Sequence, residues 1–327
     1  MAKVCILFLL WAGLCLPLFA QKKTIAVIGS STAAGFHLPI DDQGQIMEDQ
    51  DDNLDNGLPP NSWVNRLRVY YDGLHLLNEL DNFAIWGQNI YQAMPDDYHY
   101  VGGDTRDDVD GRNNISKALS VNPDIILVNF PSNNYDFYPI DETMARIHDI
   151  YDAAIANGHT VCYICTTQPR TSEGFAILDN RTNLKTIRDR IVADFPNHYI
   201  DFYTPLVDDQ VETSPGVPND NYLGIKAEFS LGDGTHVNEA GHGVLYNAVL
   251  AKNLVPIANL PLAVGKIGVK RIDDTHITVT FTVYEGNTEK EFFIWVKDKA
   301  GNTKSVRVVI PDKTKTTQTI TETIQIY

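Results

Sequence analysis

Two short motifs, far apart in the chain, contain the residue types of a proton-transfer pair. Residues 29–31 read Gly-Ser-Ser at the end of an apolar segment, and Asp233-x-x-His236 lies near the other end of the same region. An aspartate three residues before a histidine can reach the imidazole Nδ1–H, which leaves Nε2 free to accept a proton. Ser31 can supply that proton. Taken alone, an Asp-x-x-His motif is more often a helix cap beside a surface histidine, so the remaining motifs must decide.

The composition indicates a globular protein without polyanionic partners. The chain has 327 residues, 43% of them hydrophobic, and a formal net charge of -16 from 42 acidic and 26 basic residues. This length suits one large domain and a smaller one. Because most of the surface must be negative, it repels phosphate backbones and anionic lipids. We therefore expect neither a nucleic acid nor an anionic membrane as partner.

The first twenty residues have the pattern of a secretory signal peptide. Lys3 precedes an apolar run over residues 4–16, and the small residue Ala20 precedes the polar Gln21. The apolar run is shorter than the roughly 20 residues that span a membrane. We expect cleavage near Ala20, a periplasmic, extracellular or cell-surface location, and no transmembrane segment in the mature chain.

The cysteines predict neither a disulfide framework nor a metal site. Removal of residues 1–20 would leave only Cys162 and Cys165, inside the strand-like run 160–166. Residues three apart on a strand point to opposite faces, which is poor geometry for a relaxed disulfide. A redox pair or half of a zinc site is the alternative, but no second Cys/His cluster stands nearby. We expect two buried thiols, and neither a metal nor an organic cofactor.

Short apolar strands alternate with helical patterns from residue 24 to about residue 258, which predicts a parallel sheet covered by helices on both faces. This is a three-layer α/β/α domain. The predicted strands are residues 24–28, 82–85, 124–129, 160–166 and 198–202, and the predicted helices are residues 63–71, 115–119, 141–157, 181–195 and 240–250. The acidic stretch 41–61 predicts a long loop; its segment 51–57 has some calcium-loop character, but the glycine is one place late.

From residue 265 onward the apolar periodicity is two, which predicts an all-β module. Strands are expected at residues 276–283, 291–296, 305–310 and 316–326, with a hairpin turn at residues 298–302. The stretch resembles the small immunoglobulin-like β-sandwich modules attached to secreted bacterial enzymes. The predicted organisation is thus a signal peptide (1–20), an α/β/α domain (21–258) and a β-sandwich module (265–327).

Four blocks in the first domain, taken in order, resemble the SGNH, or GDSL-like, serine hydrolase family. They are residues 29–35, 82–88, 123–134 and 233–241. The resemblance implies a flavodoxin-like fold and an ester hydrolase without cofactor. It implies Ser31 as nucleophile, His236 as general base and then acid, and Asp233 as the group that orients the imidazole.

The resemblance also implies an oxyanion hole. Its donors would be the N–H groups of Ser31 and Gly87 and the side-chain amide of Asn133. Asn134 and Arg170 follow predicted strands and are candidates for substrate contacts, although surface loop residues without a role fit equally well. Singly, each of these positions is also compatible with an ordinary cap or turn.

Two positions depart from the family pattern. Ser30 stands where the family usually has aspartate, and Pro131-Ser-Asn-Asn stands where it usually has Gly-x-Asn-Asp. Neither change removes a member of the proton-transfer chain. Asn238 and His242 are expected to begin a helix and to face the core, respectively, rather than to catalyse.

Other catalytic motifs fit less well. The glycine-rich segment 29–35 lacks the ending of a phosphate loop and the spacing of a dinucleotide fingerprint, and Ala33 breaks the Gly-x-Ser-x-Gly elbow of α/β-hydrolases. The resemblance implies carbohydrate acetyl esters, lipid acyl esters or other small esters as substrates, and the export signal with the β-module favours a glycan. The alternative is a non-catalytic surface or carbohydrate-binding protein that retains the fold.

Overall fold

A computed structural model of the chain describes residues 22–39, 59–102 and 105–255, and beyond them the backbone of strands between residues 263 and 325. The expected signal peptide and most of the acidic stretch 41–61 lie outside the described residues. Contacts divide the chain into two compact units, of which one is Lys22–Leu254 and the other includes Val255–Tyr327. Both expected domain boundaries remain predictions.

The first unit is built on a parallel five-stranded sheet. Its strands are β1 (Lys23–Gly29), β2 (Leu77–Asn82), β3 (Ile125–Asn129), β4 (Val161–Cys165) and β5 (Tyr199–Ile200). They are ordered β2-β1-β3-β4-β5, and each adjacent pair is parallel. This is the strand order of flavodoxin-like folds, so the predicted α/β class is confirmed.

One predicted strand was misplaced. Residues 82–85 were expected to form the second strand, but β2 ends at Asn82. The segment that follows is apolar because Ala84 and Ile85 are fully buried, not because it forms a ladder. It still runs beside β1, where the Ile85 N–H donates to the Gly29 carbonyl at 3.1 Å. The polar β2 occupies an edge of the sheet, where strands need not be apolar on both faces.

The helices form two groups by their contacts. They are α1 (Ser31–Ala34), α2 (Trp63–Gly73), α3 (Ile115–Ser120), α4 (Ile140–Ile155), α5 (Leu178–Asp194) and α6 (Glu239–Ala251). Helix α2 contacts α1 and α6, whereas α4 contacts α3 and α5. Short 3₁₀ turns lie at Glu173–Ala176 and Ala227–Phe229, and a small hairpin pairs Glu212–Ser214 (β6) with Val217–Pro218 (β7).

Alternation along the strands divides the core. Ala26 and Ile28 of β1 belong to the cluster that contains Ile115 of α3 and Ile147 of α4, whereas Ile25 and Val27, also fully buried, are outside that cluster. A strand with both faces buried in this way is typical of a parallel sheet between helical layers. In β4, Cys162 and Cys165 are both buried and free, as expected.

The second unit is described by its strands alone. These are β8 (Ala263–Val264), β9 (Gly268–Arg271), β10 (His276–Tyr284), β11 (Glu291–Lys297), β12 (Thr303–Val309) and β13 (Thr317–Gln325). Strand β10 pairs antiparallel with β13, β9 and β8, and β11 pairs antiparallel with β12. The turn expected at residues 298–302 lies outside the described residues, and the immunoglobulin-like arrangement remains a prediction.

Among the helices of the described residues, none combines the length and apolarity needed to cross a bilayer.

Candidate active site

Ser31 follows the carboxyl end of the interior strand β1 and begins the short helix α1. The turn between them requires glycine at position 29, because a Cβ there would lie 2.6 Å from the Asn129 carbonyl oxygen and 2.9 Å from the Ala33 Cβ. Such close packing brings β1 against β3 and sets the direction in which the chain leaves the sheet. The Ser31 side chain is 7% exposed and lines a cavity of about 570 Å³.

The loop before α6 places the second motif beside Ser31. His236 Nε2 is 3.1 Å from Ser31 Oγ, and His236 Nδ1 is 2.6 Å from Asp233 Oδ2. The other carboxylate oxygen, Asp233 Oδ1, accepts the backbone N–H groups of Thr235 and His236, each at 2.8 Å. Since a carboxylate only accepts, the imidazole carries its proton on Nδ1 and presents an unprotonated Nε2 to the serine hydroxyl.

Burial and hydrogen bonding set the charges of this pair. Burial would raise the pKa of Asp233, but the hydrogen bonds from His236 and Thr235 outweigh it and hold that pKa below its ordinary value. Burial lowers the pKa of His236 and outweighs the opposing effect of Asp233. At neutral pH the pair is therefore an aspartate anion and a neutral histidine, which is the state a general base requires.

Two residues that line this cavity could supply backbone N–H donors. Gly87 lines it together with Ser31, and its φ of 80° is a left-handed conformation that favours glycine. Within the described part of the chain, neither the Ser31 nor the Gly87 N–H donates to an internal acceptor. Unpaired N–H groups beside a nucleophile can bind the oxyanion of a tetrahedral intermediate.

Asn133 also lines this cavity, and its two partners define its orientation. Its Nδ2 donates to the Gln88 carbonyl at 2.8 Å, and its Oδ1 accepts from Arg170 Nη1 at 3.2 Å. A carbonyl can only accept and a guanidinium can only donate, so the amide cannot be reversed. One of its two N–H bonds is used by Gln88, which leaves the second for a ligand.

Both expected substrate-contact residues line the cavity, but their side chains have different hydrogen-bond partners. Arg170 is only 6% exposed, and it donates to Ser172 at 2.9 Å and pairs with Glu173 as well as holding Asn133. Asn134, with φ of 63°, donates its amide to Asp107 and to the Tyr138 hydroxyl, both at 3.2 Å. A direct role for either in substrate binding remains a prediction.

Two buried amides that sequence reasoning missed connect three of the four blocks. Gln168 accepts from Thr32 Oγ1 at 3.0 Å and donates to the Thr235 carbonyl at 2.8 Å, which links α1 to the histidine loop. Asn113 holds both the N–H and the carbonyl of Gly29, at 3.1 and 2.7 Å, and also donates to Gln88. The only sequence signal was the polar run 166–168 directly after a buried strand.

The two departures from the family pattern have distinct surroundings. Ser30 is fully buried, and its hydroxyl has no hydrogen-bond partner among the described residues. The Pro131 carbonyl accepts the Gln168 N–H at 3.2 Å, so this turn is tied to the next strand end. As expected, Asn238 caps α6 by accepting from the Gly241 N–H, and His242 is buried, accepting from the Trp63 N–H.

One group of side chains could bind a cation. The ligand atoms of His37, Asp233 and His236 lie within 4.8 Å of one another. A cation there would replace the Asp233–His236 hydrogen bond, so it would compete with the proton-transfer arrangement rather than complete it.

Comparisons with known proteins concern the fold. No protein-family model matches the chain. No curated protein matches it either. Similar solved structures include an esterase, EstA, from Pseudoalteromonas sp. (12% identity, 71% of this chain and 96% of that chain, TM-score 0.43). Others are a lipase/acylhydrolase from Enterococcus faecalis (15%, 71% and 95%, TM-score 0.45) and a family 3 carbohydrate esterase from Clostridium thermocellum (12%, 72% and 96%, TM-score 0.42).

Proposed function

We propose that this chain is a secreted serine esterase of the SGNH type that acts through an acyl-Ser31 intermediate. The observation that carries the proposal is the continuous hydrogen-bonded chain from Ser31 Oγ through His236 to Asp233, at a cavity that Gly87 also lines. The alternative of a surface histidine beside a helix cap does not account for the hydrogen bond between His236 and the buried Ser31, 205 residues away.

The geometry suits a two-step acyl transfer. His236 Nε2 removes the hydroxyl proton as Ser31 Oγ attacks the ester carbonyl, and the imidazolium is stabilised by Asp233. The oxyanion accepts hydrogen bonds from the backbone N–H groups of Ser31 and Gly87 and from the second amide N–H of Asn133. The C–O bond then breaks, and the alcohol leaves with the proton from His236. Water attacks the acyl-enzyme by the same route, releasing the carboxylic acid and restoring Ser31.

The substrate is proposed to be a small or carbohydrate ester whose alcohol portion is uncharged. The net charge of -16 opposes polyanionic substrates, and the cavity at Ser31 combines aromatic rings, such as Phe36 and Trp86, with amide and hydroxyl groups. Sites of this mixed character bind amphipathic small molecules. Export through the segment 1–20 would place the enzyme outside the cytoplasm.

Ser31→Ala with Ser30→Ala as its control tests the proposal. Both serines are buried and adjacent, but Ser31 alone reaches His236. With 4-nitrophenyl acetate, Ser31→Ala should lower kcat by several orders of magnitude, whereas Ser30→Ala should retain activity. Equal activity of the wild type and Ser31→Ala would exclude Ser31 as the nucleophile, whereas an inactive folded wild type would favour the non-catalytic alternative.

A further inference from the structure

A second cavity adjoins the one at Ser31. Its volume is about 600 Å³, and it shares Asn134 and Phe137 with the first cavity. A substrate whose acyl group lies at Ser31 can therefore extend across these two residues. The second cavity takes no part in the proton transfer at Ser31.

Phe137 is presented to both cavities by a tight turn. Its N–H donates to the Asn134 carbonyl at 3.0 Å, and the Tyr138 N–H donates to the same oxygen at 3.1 Å. Asn134 begins the turn in a left-handed conformation, which is uncommon for a residue other than glycine. The result is an aromatic side chain that is 78% exposed at the junction of two cavities.

The cations and aromatic rings deeper in the second cavity are already engaged. Arg106 forms a bidentate ion pair with Glu142, with N···O distances of 2.7 and 3.2 Å. Its guanidinium lies about 5 Å from the ring centroids of Tyr100 and Tyr138. Arg106 holds the pKa of Glu142 below its ordinary value, so the pair stays charged and neutral in sum. It therefore offers no free cation for an anionic ligand and no empty aromatic cage for a quaternary ammonium.

The remaining groups are hydrogen-bonding ones. The exposed Asp107 accepts through Oδ2 from Asn89, Asn134 and Tyr138, and its Oδ1 accepts from no described residue. Thr105, also exposed, adds a hydroxyl. An aliphatic chain would bury these groups without partners, which is unfavourable. A ligand with an apolar face and several hydroxyl groups satisfies both Phe137 and Asp107.

We propose that this second cavity is a sugar-binding subsite for the alcohol portion of the substrate, with Phe137 stacking on an uncharged pyranose ring and Asp107 accepting its hydroxyl groups. The inference rests on the proposed esterase function and specifies its substrate as an ester of a neutral carbohydrate. Phe137 here is a specificity-determining residue, distant from proton transfer.

Kinetics on three acetyl esters test the subsite, because the acyl group is the same and only the alcohol differs. The substrates are 4-nitrophenyl acetate, O-acetylated xylotetraose and acetylcholine. Phe137→Ala should raise KM for the acetylated xylotetraose roughly three- to tenfold, the effect of losing one aromatic contact. With 4-nitrophenyl acetate, whose alcohol portion has no sugar ring to stack on Phe137, the rise in KM should be smaller. Val69→Ala is the control, because Val69 is 60% exposed and lines neither cavity.

Binding of unmodified xylotetraose to the Ser31→Ala protein, measured by calorimetry with and without Phe137→Ala, tests the subsite without turnover. Phe137→Ala should weaken xylotetraose binding by the same roughly three- to tenfold factor expected for KM. The subsite proposal is overturned if Phe137→Ala affects all three esters equally or none, if acetylcholine is preferred to the sugar ester, or if xylotetraose does not bind. Failure of the esterase function itself is distinct, since the wild type would then not hydrolyse 4-nitrophenyl acetate while the sugar could still bind.

Discussion

Replacement of Asn133 by alanine should remove one donor from the oxyanion hole. Its amide has two N–H bonds, and one of them is used by the Gln88 carbonyl at 2.8 Å, so a single N–H remains for the substrate oxygen. Loss of one such donor costs about 10²- to 10³-fold in kcat, or about 2.7–4 kcal/mol. KM should change little, because the negative charge on the oxygen exists only in the transition state.

The same substitution has a structural cost that must be separated from the catalytic one. The Gln88 carbonyl loses its donor and Arg170 loses the Asn133 Oδ1 acceptor, which should lower the free energy of unfolding by about 1–3 kcal/mol. Asn133→Asp separates the loss of the Arg170 acceptor from the loss of the amide donor, because it restores only the acceptor. A carboxylate keeps an acceptor for Arg170 but cannot donate to an oxyanion, so kcat should fall at least as far as in Asn133→Ala.

Asn134→Ala is the matched control, since that amide donates to Asp107 and Tyr138 instead. Steady-state kinetics with 4-nitrophenyl acetate and a thermal melt of each variant are the assay. An unchanged kcat in Asn133→Ala, or a larger loss of kcat in Asn134→Ala, would refute this account of the oxyanion hole.

Three further predictions concern the groups around Ser31. The value of kcat/KM should fall on the acid side with a midpoint below about pH 6.5, because burial lowers the pKa of His236 and only the neutral imidazole accepts a proton. A midpoint above that pH would contradict the buried environment of His236. Gln168→Leu should lower kcat by roughly tenfold or more and leave KM near its wild-type value, because the histidine loop loses the hydrogen bond to the Thr235 carbonyl. Gln168→Glu keeps only the acceptor for Thr32, so it should not restore kcat. Ser30→Ala should leave the melting temperature unchanged or raise it, because the buried Ser30 hydroxyl has no partner to lose; a clear drop in a calorimetric melt would show that this hydroxyl is satisfied in solution.

The fold class and the Asp233–His236 pair could be predicted from the sequence because both depend on local patterns. The approach of Ser31 to His236, 205 residues apart, was implied only by the family resemblance. An apolar strand followed by a tight turn places Ser31 at the end of the sheet, and three-residue spacing is enough to bring Asp233 to His236. The parallel sheet followed from the alternation of strands and helices.

The supporting amides could not be predicted in the same way. Gln168 and Thr32 are 136 residues apart, and Asn113 and Gly29 are 84 apart, so only the completed fold brings them together. The position of β2 was missed for a related reason. Its residues are polar because the strand lies at an edge, whereas the apolar residues after it are buried by tertiary packing.

Detection of an acyl group on Ser31 tests the central claim most directly. The wild-type protein is mixed with 4-nitrophenyl acetate, quenched in acid within the first turnovers, digested and analysed by mass spectrometry. We expect one acetyl group on the peptide that contains Ser31, and none on the same peptide from Ser31→Ala. In His236→Ala the adduct should form far more slowly, because the hydroxyl proton then has no acceptor. An active wild type that acetylates a different residue, or whose Ser31→Ala variant hydrolyses the ester at the same rate, would contradict the account.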